Sequence, residues 1–251
     1  MRIAVADAFG LGWFLNDGRF IRNGSATTEN ELRLNVGTAW RLSEGLQISA
    51  ATSVVATYRS YPEESAFAGM LGDTSLALRY DFDEHPEWAV LAQAIFPTGR
   101  TLAESRAALG TDVTSRGGFA GLLGAAYETL HGPWFLLLQG TIELDGPLRG
   151  ADVDSTVSFF LGASTGRVFA SGAAFSVGAQ AMIGPALSHA GVDLPDSARR
   201  RTTVFASAGV PLNGTFTLAL SSTLDPPLSQ LGKNQQAQLG VALGLRVLLR
   251  P

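Results

Sequence analysis

The sequence contains three histidines and no cysteine, which limits the chemistry that its side chains could carry out. A nucleophilic serine needs a base within hydrogen-bond reach and a third group that orients this base. His85 and His131 lie in short polar connections and His189 lies in a long one, and none has a serine and a carboxylate patterned around it. Zinc–thiolate sites and thiol nucleophiles require cysteine. We therefore predict that the protein is not an enzyme and that it holds no metal and no cofactor.

Charged residues are scarce. They make up 16% of the 251 residues, whereas 46% are hydrophobic and 29 are glycine. Soluble domains contain roughly 25% charged residues. The net charge is −4 and Lys233 is the single lysine, so the chain offers no basic surface of the kind that nucleic acid requires. This composition favours a protein that is not surrounded by water on all sides.

The hydrophobic pattern has a period of two residues. Leu32, Leu34 and Val36, for example, alternate with Arg33 and Asn35. A period of two is typical of β-strands with one apolar face. Twelve such segments follow one another, near residues 3–15, 31–42, 46–60, 73–82, 88–97, 118–130, 134–144, 155–168, 173–184, 202–212, 215–224 and 235–249.

The connections between these segments alternate between short and long. Five are tight turns, at residues 43–45, 83–87, 131–133, 169–172 and 213–214. Six are long and polar, at residues 16–30, 61–72, 98–117, 145–154, 185–201 and 225–234. Short periplasmic turns, long extracellular loops and an even strand number are typical of outer-membrane barrels. The sequence therefore predicts an all-β fold with one domain over residues 1–251: a transmembrane, up-and-down, antiparallel β-barrel of about 12 strands, whose first and last strands pair.

Aromatic residues gather at the predicted membrane–water interfaces, where amphipathic rings are favoured. Those beside the short turns are Trp40, Tyr80, Phe82, Trp88, Tyr127 and Trp134, and those near the long loops are Trp13, Tyr58 and Phe96. A soluble β-sandwich is the alternative, but its outer face would be charged and its connections would vary irregularly. Two uncharged stretches, 168–187 and 202–223, contain glycine and proline breakers, so we expect no membrane helix.

The second strand face consists mainly of small and polar residues, as a narrow polar lumen would. The predicted lumen-lining residues are Arg33, Arg59, Arg79, Asp81, Gln93, Glu128, Gln139, Glu143 and Arg246. This assignment puts a basic sector on the second to fourth strands and an acidic sector on the sixth and seventh. Separated sectors would give a pore that selects by charge. Alternatively, these charges pair across a plugged interior.

The expected surroundings are those of the bacterial outer membrane. Leu34, Leu76, Leu138 and Leu243 are predicted to face lipid. The run 199–201 consists of three arginines, which either contact lipopolysaccharide phosphates or form a solvated basic turn. Other envelope proteins are candidate partners. No signal peptide is visible at the start of this sequence, and we expect it to have been removed from an exported precursor.

Three motifs resemble one family of outer-membrane proteins. The segment 72–82 carries a Gly-Asp-x-x-Leu-x-Leu-Arg-Tyr pattern, residues 96–99 read Phe-Pro-Thr-Gly, and residues 109–112 read Leu-Gly-Thr-Asp. These motifs are similar to those of the outer-membrane transporters grouped under the phenol-degradation meta-pathway, with the best match over residues 72–145. The resemblance implies an exported β-barrel, and its strand-and-turn motifs indicate architecture more than solute.

Two functions follow from this pattern. The first is a passive channel or transporter for small solutes, with apolar and aromatic compounds as the candidates. The second is a non-transporting structural barrel that anchors or docks a larger cell-envelope assembly. Small inward residues leave space in the lumen in both cases, and long loops can act as gates or as docking surfaces.

Overall fold

The computed structural model describes residues 1–24, 26–147, 154–189 and 192–248. Twelve long strands form the wall of the molecule. They are β1 (Arg2–Phe14), β2 (Thr28–Arg41), β3 (Leu46–Tyr61), β4 (Thr74–Asp81), β5 (Trp88–Phe96), β6 (Ala120–His131), β7 (Trp134–Asp145), β8 (Thr156–Val168), β9 (Ala174–Gly184), β10 (Arg199–Pro211), β11 (Phe216–Leu224) and β12 (Gln235–Val247). The described residues include no helix of a length and hydropathy that could cross a bilayer.

The wall is a closed antiparallel barrel. Each strand pairs with its neighbours in sequence, and β1 pairs with β12 from Arg2 opposite Arg246 to Phe14 opposite Gln235. A bulge between Gly10 and Gly12 shifts this register by one residue. Closure leaves no sheet edge whose backbone groups would face hydrocarbon without a partner. The predicted 12-stranded barrel is confirmed.

The outer face is apolar and the inner face is largely small or polar. Val5 on β1 stands opposite Leu34 on β2 and Leu243 on β12, so the three side chains form one outward row. The four leucines predicted to face lipid all lie on this outer face and have exposed fractions between 39% and 54%. Large hydrophobic side chains are exposed here while charged side chains point inward, which is the reverse of a water-soluble domain.

Residues 61–72 are not a long polar loop, as the sequence suggested. Glu64–Leu71 forms a strand that pairs with the upper half of β3, from Tyr61 opposite Glu64 to Val54 opposite Leu71. The strand then continues into β4 after a break at Gly72, whose backbone N–H donates to the carbonyl oxygen of Ser53 at 2.7 Å. Alanine and glycine at alternate positions obscured the period of two in this segment.

The other long connections also contain structure. Short strands at Phe20–Arg22 and Gly232–Lys233 extend the wall beside β1 and β10, and Ser188–His189 pairs with Val192–Asp193. The connection 98–117 contains two 3₁₀ turns, Leu102–Glu104 and Ala108–Gly110. β10 begins at Arg199, so the three arginines predicted to end a loop belong to a strand instead. The predicted loop 145–154 falls largely on residues 148–153, which lie outside the described part of the chain.

Candidate functional site

Three cavities open within the part of the barrel interior that the described residues line. The first measures about 350 Å³ and is lined by the inner faces of β3 to β9. The second measures about 400 Å³ and is lined mainly by β1 and β9 to β12. A third, of about 130 Å³, shares Gln139, Thr141, Phe160 and Gln180 with the first. Because these linings come from many strands of one closed wall, the cavities lie in the lumen.

The residues predicted to line the lumen alternate with outward hydrophobic residues along their strands. Four of them contact the first cavity, namely Arg79, Gln93, Gln139 and Glu143. Arg246 contacts the second cavity together with Arg2, its cross-strand partner. The other four predicted residues line none of the three cavities; they are Arg33, Arg59, Asp81 and Glu128. Each of these four forms an ion pair or a hydrogen bond with another part of the protein instead.

The predicted separation of basic and acidic sectors is wrong. Arg79 on β4 lies 2.7 Å from Asp81 on the same strand and 3.7 Å from Glu128 on β6, measured between nitrogen and oxygen. Arg33 lies 2.7 Å from Glu31. Residues two positions apart on a strand share a face, and the barrel curvature brings β4 and β6 together across β5. The inward charges therefore pair locally rather than forming opposed sectors.

Arg59 fastens the connection 98–117 to the inner face of β3. Its guanidinium Nη1 donates to the carbonyl oxygen of Gly110 at 3.2 Å and also to that of Leu109. Leu109 and Gly110 have φ of +56° and +61°, in the left-handed region. The inward side chain of Arg59 thus binds two successive backbone carbonyls in a turn whose residues have positive φ.

A buried carboxylate organises the same connection. Asp112 is 2% exposed and accepts hydrogen bonds from the Arg106 backbone at 3.0 Å, from Ser105 and from Arg100. Burial by itself raises the pKa of Asp112, but the bonds from Ser105, Arg106 and Arg100 together hold this pKa well below its usual range. The connection is therefore a folded element with its own polar core.

A second buried carboxylate lies near the opposite wall. Asp225 is 1% exposed and accepts a fork from Arg201, with 3.0 Å to Nε and 2.8 Å to Nη2. Thr203 and the backbone N–H of Gln238 also donate to it, at 2.6 and 3.1 Å. Because this carboxylate occupies the Arg201 fork, the lipopolysaccharide-phosphate interpretation of residues 199–201 does not hold for Arg201.

Three inward phenylalanines were missed by the sequence analysis. Phe160 lies between the first and third cavities, Phe205 lines the third and Phe135 lines the second. The rings of Phe205 and Phe135 lie so close to Gly178 and Gly166 that a Cβ at either glycine would come within 2.5 Å of them. Two large apolar residues in succession, as in Phe159–Phe160, could have indicated an inward ring, because consecutive residues of a strand point to opposite faces.

The aromatic residues predicted to form two girdles lie near the ends of the wall strands. Trp88 and Tyr127 are cross-strand partners with ring centroids 5.0 Å apart, and Tyr80 and Phe82 meet edge to face at 5.4 Å. The guanidinium of Arg167 lies 5.6 Å from the ring of Trp134. Of the other predicted members, Trp40 lies beside the short-turn end, and Trp13 and Tyr58 lie toward the long connections.

The three histidines stay apart from these cavities. His85 lies in a turn, His131 ends β6 and His189 lies in a two-residue strand. Within the described ranges, no three His, Cys, Asp or Glu side chains gather as a metal site would require.

Comparison with known proteins shows likeness at the level of the fold. A crystal structure of an outer membrane channel from Pseudomonas putida F1 is similar with a TM-score of 0.70 and 16% identity, over 98% of this chain and 95% of that one. The beta domain of the Bordetella autotransporter BrkA gives 0.60 and 17%, over 99% and 98%. The CymD monoaromatic hydrocarbon channel gives 0.53 and 8%, over 99% and 88%. No protein-family model and no curated protein sequence matches the chain. The chain therefore has the fold of outer-membrane β-barrels.

Proposed function

We propose that this protein is a passive channel of the bacterial outer membrane, in contact with lipid and lipopolysaccharide, for small solutes that include apolar and aromatic compounds. The observation that carries this proposal is the accessible inner surface at mid-barrel. Gln139 and Gln180 point into the lumen and remain exposed although the wall around them is closed. An interior filled by packed side chains would bury such amides.

The inward phenylalanines support the inclusion of apolar and aromatic solutes. Phe135, Phe160 and Phe205 come from β7, β8 and β10, so one side of the lumen presents rings to a passing solute. Aromatic rings pair favourably with other rings beyond the area that they bury. Two of the similar structures are described as an outer membrane channel and a monoaromatic hydrocarbon channel, which agrees with this solute class.

A structural barrel that anchors or docks an envelope assembly is the second candidate. The anchored connection 98–117 favours it, because Arg59 ties that connection to β3 and Thr114 Oγ1 donates to the carbonyl oxygen of Leu71 at 2.6 Å. Ser53, Val55 and Thr57, on the inner face of β3, are at most 6% exposed. That part of the interior is therefore closed.

Reconstitution separates the two candidates. The full chain in planar bilayers should show ionic conductance, and liposomes that contain it should take up toluene faster than empty liposomes. The variant Arg59→Ala tests whether the connection limits this flow. An absence of both conductance and uptake, in the wild type and in Arg59→Ala, would contradict a channel and support the structural barrel. A lipid-facing substitution, Ser222→Ala, serves as the matched control.

A further inference from the structure

Four glutamines face the first lumen cavity, and they come from alternate strands of the wall. They are Gln47 on β3, Gln93 on β5, Gln139 on β7 and Gln180 on β9. Among the residues that the structure describes, no side-chain amide of these four has a hydrogen-bond partner in the protein. Each amide can both donate and accept hydrogen bonds. The cavity therefore presents four unused amides to whatever occupies it.

Two of these amides, on Gln139 and Gln180, flank an opening in the inner surface at Gly162. Gly162 on β8 stands opposite Gln139 on one side and Gln180 on the other. Neighbouring strands lie about 4.8 Å apart, so the two glutamine backbones are separated by roughly 9.6 Å. No side chain at Gly162 fills the space between them. A Cβ at this glycine would meet nothing closer than 3.8 Å, so an alanine there narrows the opening without a clash.

The surroundings of the amides are partly apolar. Phe160 lines the cavity together with Leu91 and Leu122. A ligand pocket of this type combines an apolar wall with a few polar groups that fix orientation. Its volume of about 350 Å³ lies at the small end of known ligand pockets, which span about 300–1,000 Å³.

The charges at the cavity are already paired. Arg79 contacts Asp81 and Glu128, and Glu143 contacts Arg116. Among the described residues that line this cavity, these pairs leave no free cation for an anionic solute, and Asp145 adds a further carboxylate beside Arg116 at 3.0 Å. An anion would therefore meet excess negative charge, whereas an uncharged solute would meet only amides and apolar surface.

We propose that this cavity is a specific binding site for an uncharged, planar solute that carries a hydrogen-bonding group such as an amide, carbonyl or hydroxyl. The ring of the solute lies against Phe160, and its polar group bonds with Gln139 and Gln180. This site deepens the proposed channel function and rests on it: a channel with such a site transports its preferred solute with saturation rather than in simple proportion to concentration.

The test measures binding to the folded full chain in detergent micelles by titration calorimetry. Three probes of nearly equal size separate the chemical classes: benzamide is uncharged with hydrogen-bonding groups, benzoate is charged and toluene is apolar. Benzamide should bind with one site per barrel and more tightly than the other two. The double variant Gln139→Leu/Gln180→Leu should weaken benzamide binding by about tenfold or more, since each lost hydrogen bond accounts for several-fold. It should not weaken toluene binding, because leucine adds apolar surface to the cavity.

Two further variants keep the test decisive. Gly162→Ala narrows the opening without removing an amide and should also weaken benzamide binding. Gln238→Leu removes an inward glutamine on β12 that does not line this cavity, and should have no effect. Folding is checked by heat-dependent mobility on gels. If the double leucine variant does not fold, the single variant Gln139→Ala replaces it and should weaken binding several-fold.

The outcomes separate this inference from the channel proposal. Equal binding of benzamide and toluene, tighter binding of benzoate, or no binding at all would overturn the amide site. Toluene uptake by liposomes in the absence of benzamide binding would leave the channel in place and remove the site. Benzamide binding without uptake or conductance would support the site and contradict the channel.

Discussion

Arg59 on β3 donates a hydrogen bond to the carbonyl oxygen of Gly110, 51 residues further along the chain and 3.2 Å away. This contact joins the inner wall of the barrel to the longest fully described connection. Among the described residues, the hydrogen-bond partners of this guanidinium are two backbone carbonyls, those of Leu109 and Gly110. Arg59 thus fixes the turn at Leu109 and Gly110 against β3, while Thr114 and Arg116 hold other parts of the same connection to the wall.

Removing this arginine should loosen the turn at Leu109 and Gly110. We expect Arg59→Ala to increase single-channel conductance and its fluctuations, because the turn at Leu109 and Gly110 loses both of its hydrogen bonds to the Arg59 side chain on β3. Arg59→Lys should have a smaller effect, since a lysine can bond one carbonyl but lacks the planar fork. Planar-bilayer recordings measure the difference. Identical conductance in all three proteins would show that the connection does not restrict the lumen.

The buried Asp112 predicts how the connection responds to acid. Because its pKa is lowered in the folded state, its contribution to stability is complete above the unfolded pKa, near 3.9, and is lost as the pH falls through the folded value. Conductance should therefore stay constant from pH 7 to about pH 4 and change only below that. Asp112→Asn should show the altered conductance already at pH 7. A transition of the wild type between pH 5 and 7 would contradict this assignment.

Arg79 predicts the ion selectivity of the lumen. Its guanidinium serves both Asp81 and Glu128, so Arg79→Ala leaves two carboxylates without a cation and should shift the reversal potential toward cation preference. The side chains of Arg79 and Glu128 are 35% and 47% exposed, so stability should change by less than about 1 kcal/mol. Glu128→Gln is the opposing control and should move selectivity toward anions. A large loss of heat resistance in Arg79→Ala would instead indicate a plugged, dry interior.

A second selectivity prediction concerns the other end of the lumen. Arg2 and Arg246 stand opposite each other on paired strands and line the 400 Å³ cavity. No described carboxylate forms an ion pair with either of them. Like charges placed directly opposite each other repel, so an anion should be attracted between them. The double variant Arg2→Ala/Arg246→Ala should lower anion permeability, measured in a chloride gradient. Unchanged anion permeability would show that these two arginines do not lie on the conduction pathway.

The lipid face gives a prediction about stability. Leu243 points outward beside Val5, so Leu243→Arg should lower the free energy of unfolding by about 2–4 kcal/mol in phospholipid vesicles. Ala242→Ser, on the neighbouring inward position, should change it little. Urea unfolding in vesicles measures both. A lipid-borne quencher should reduce the fluorescence of a Leu243→Trp variant, and an absence of quenching would reverse the assigned faces.

The barrel wall could be predicted well from the sequence because each strand displays its own period of two. Leu34 and Arg33 point to opposite faces of the sheet because successive side chains alternate along the pleated backbone. The face of each further residue in the strand then follows from its position. The Glu64–Leu71 strand was missed because it has small residues on both faces, so its polar and apolar positions do not alternate clearly. Phe160 was missed for the opposite reason, because it follows Phe159 and both faces are then large.

The sequence by itself determined the strand number, the outer apolar face and the gathering of the short turns at one end of the barrel, since these depend on residues that are close together in the chain. Only the tertiary structure decided which inward groups meet. Arg79 reaches Glu128, Arg59 reaches Gly110 and Arg201 reaches Asp225 because closure and strand register bring distant residues together inside one narrow lumen. Alternation specifies that a side chain points inward, but its partner depends on the height and curvature of the whole wall.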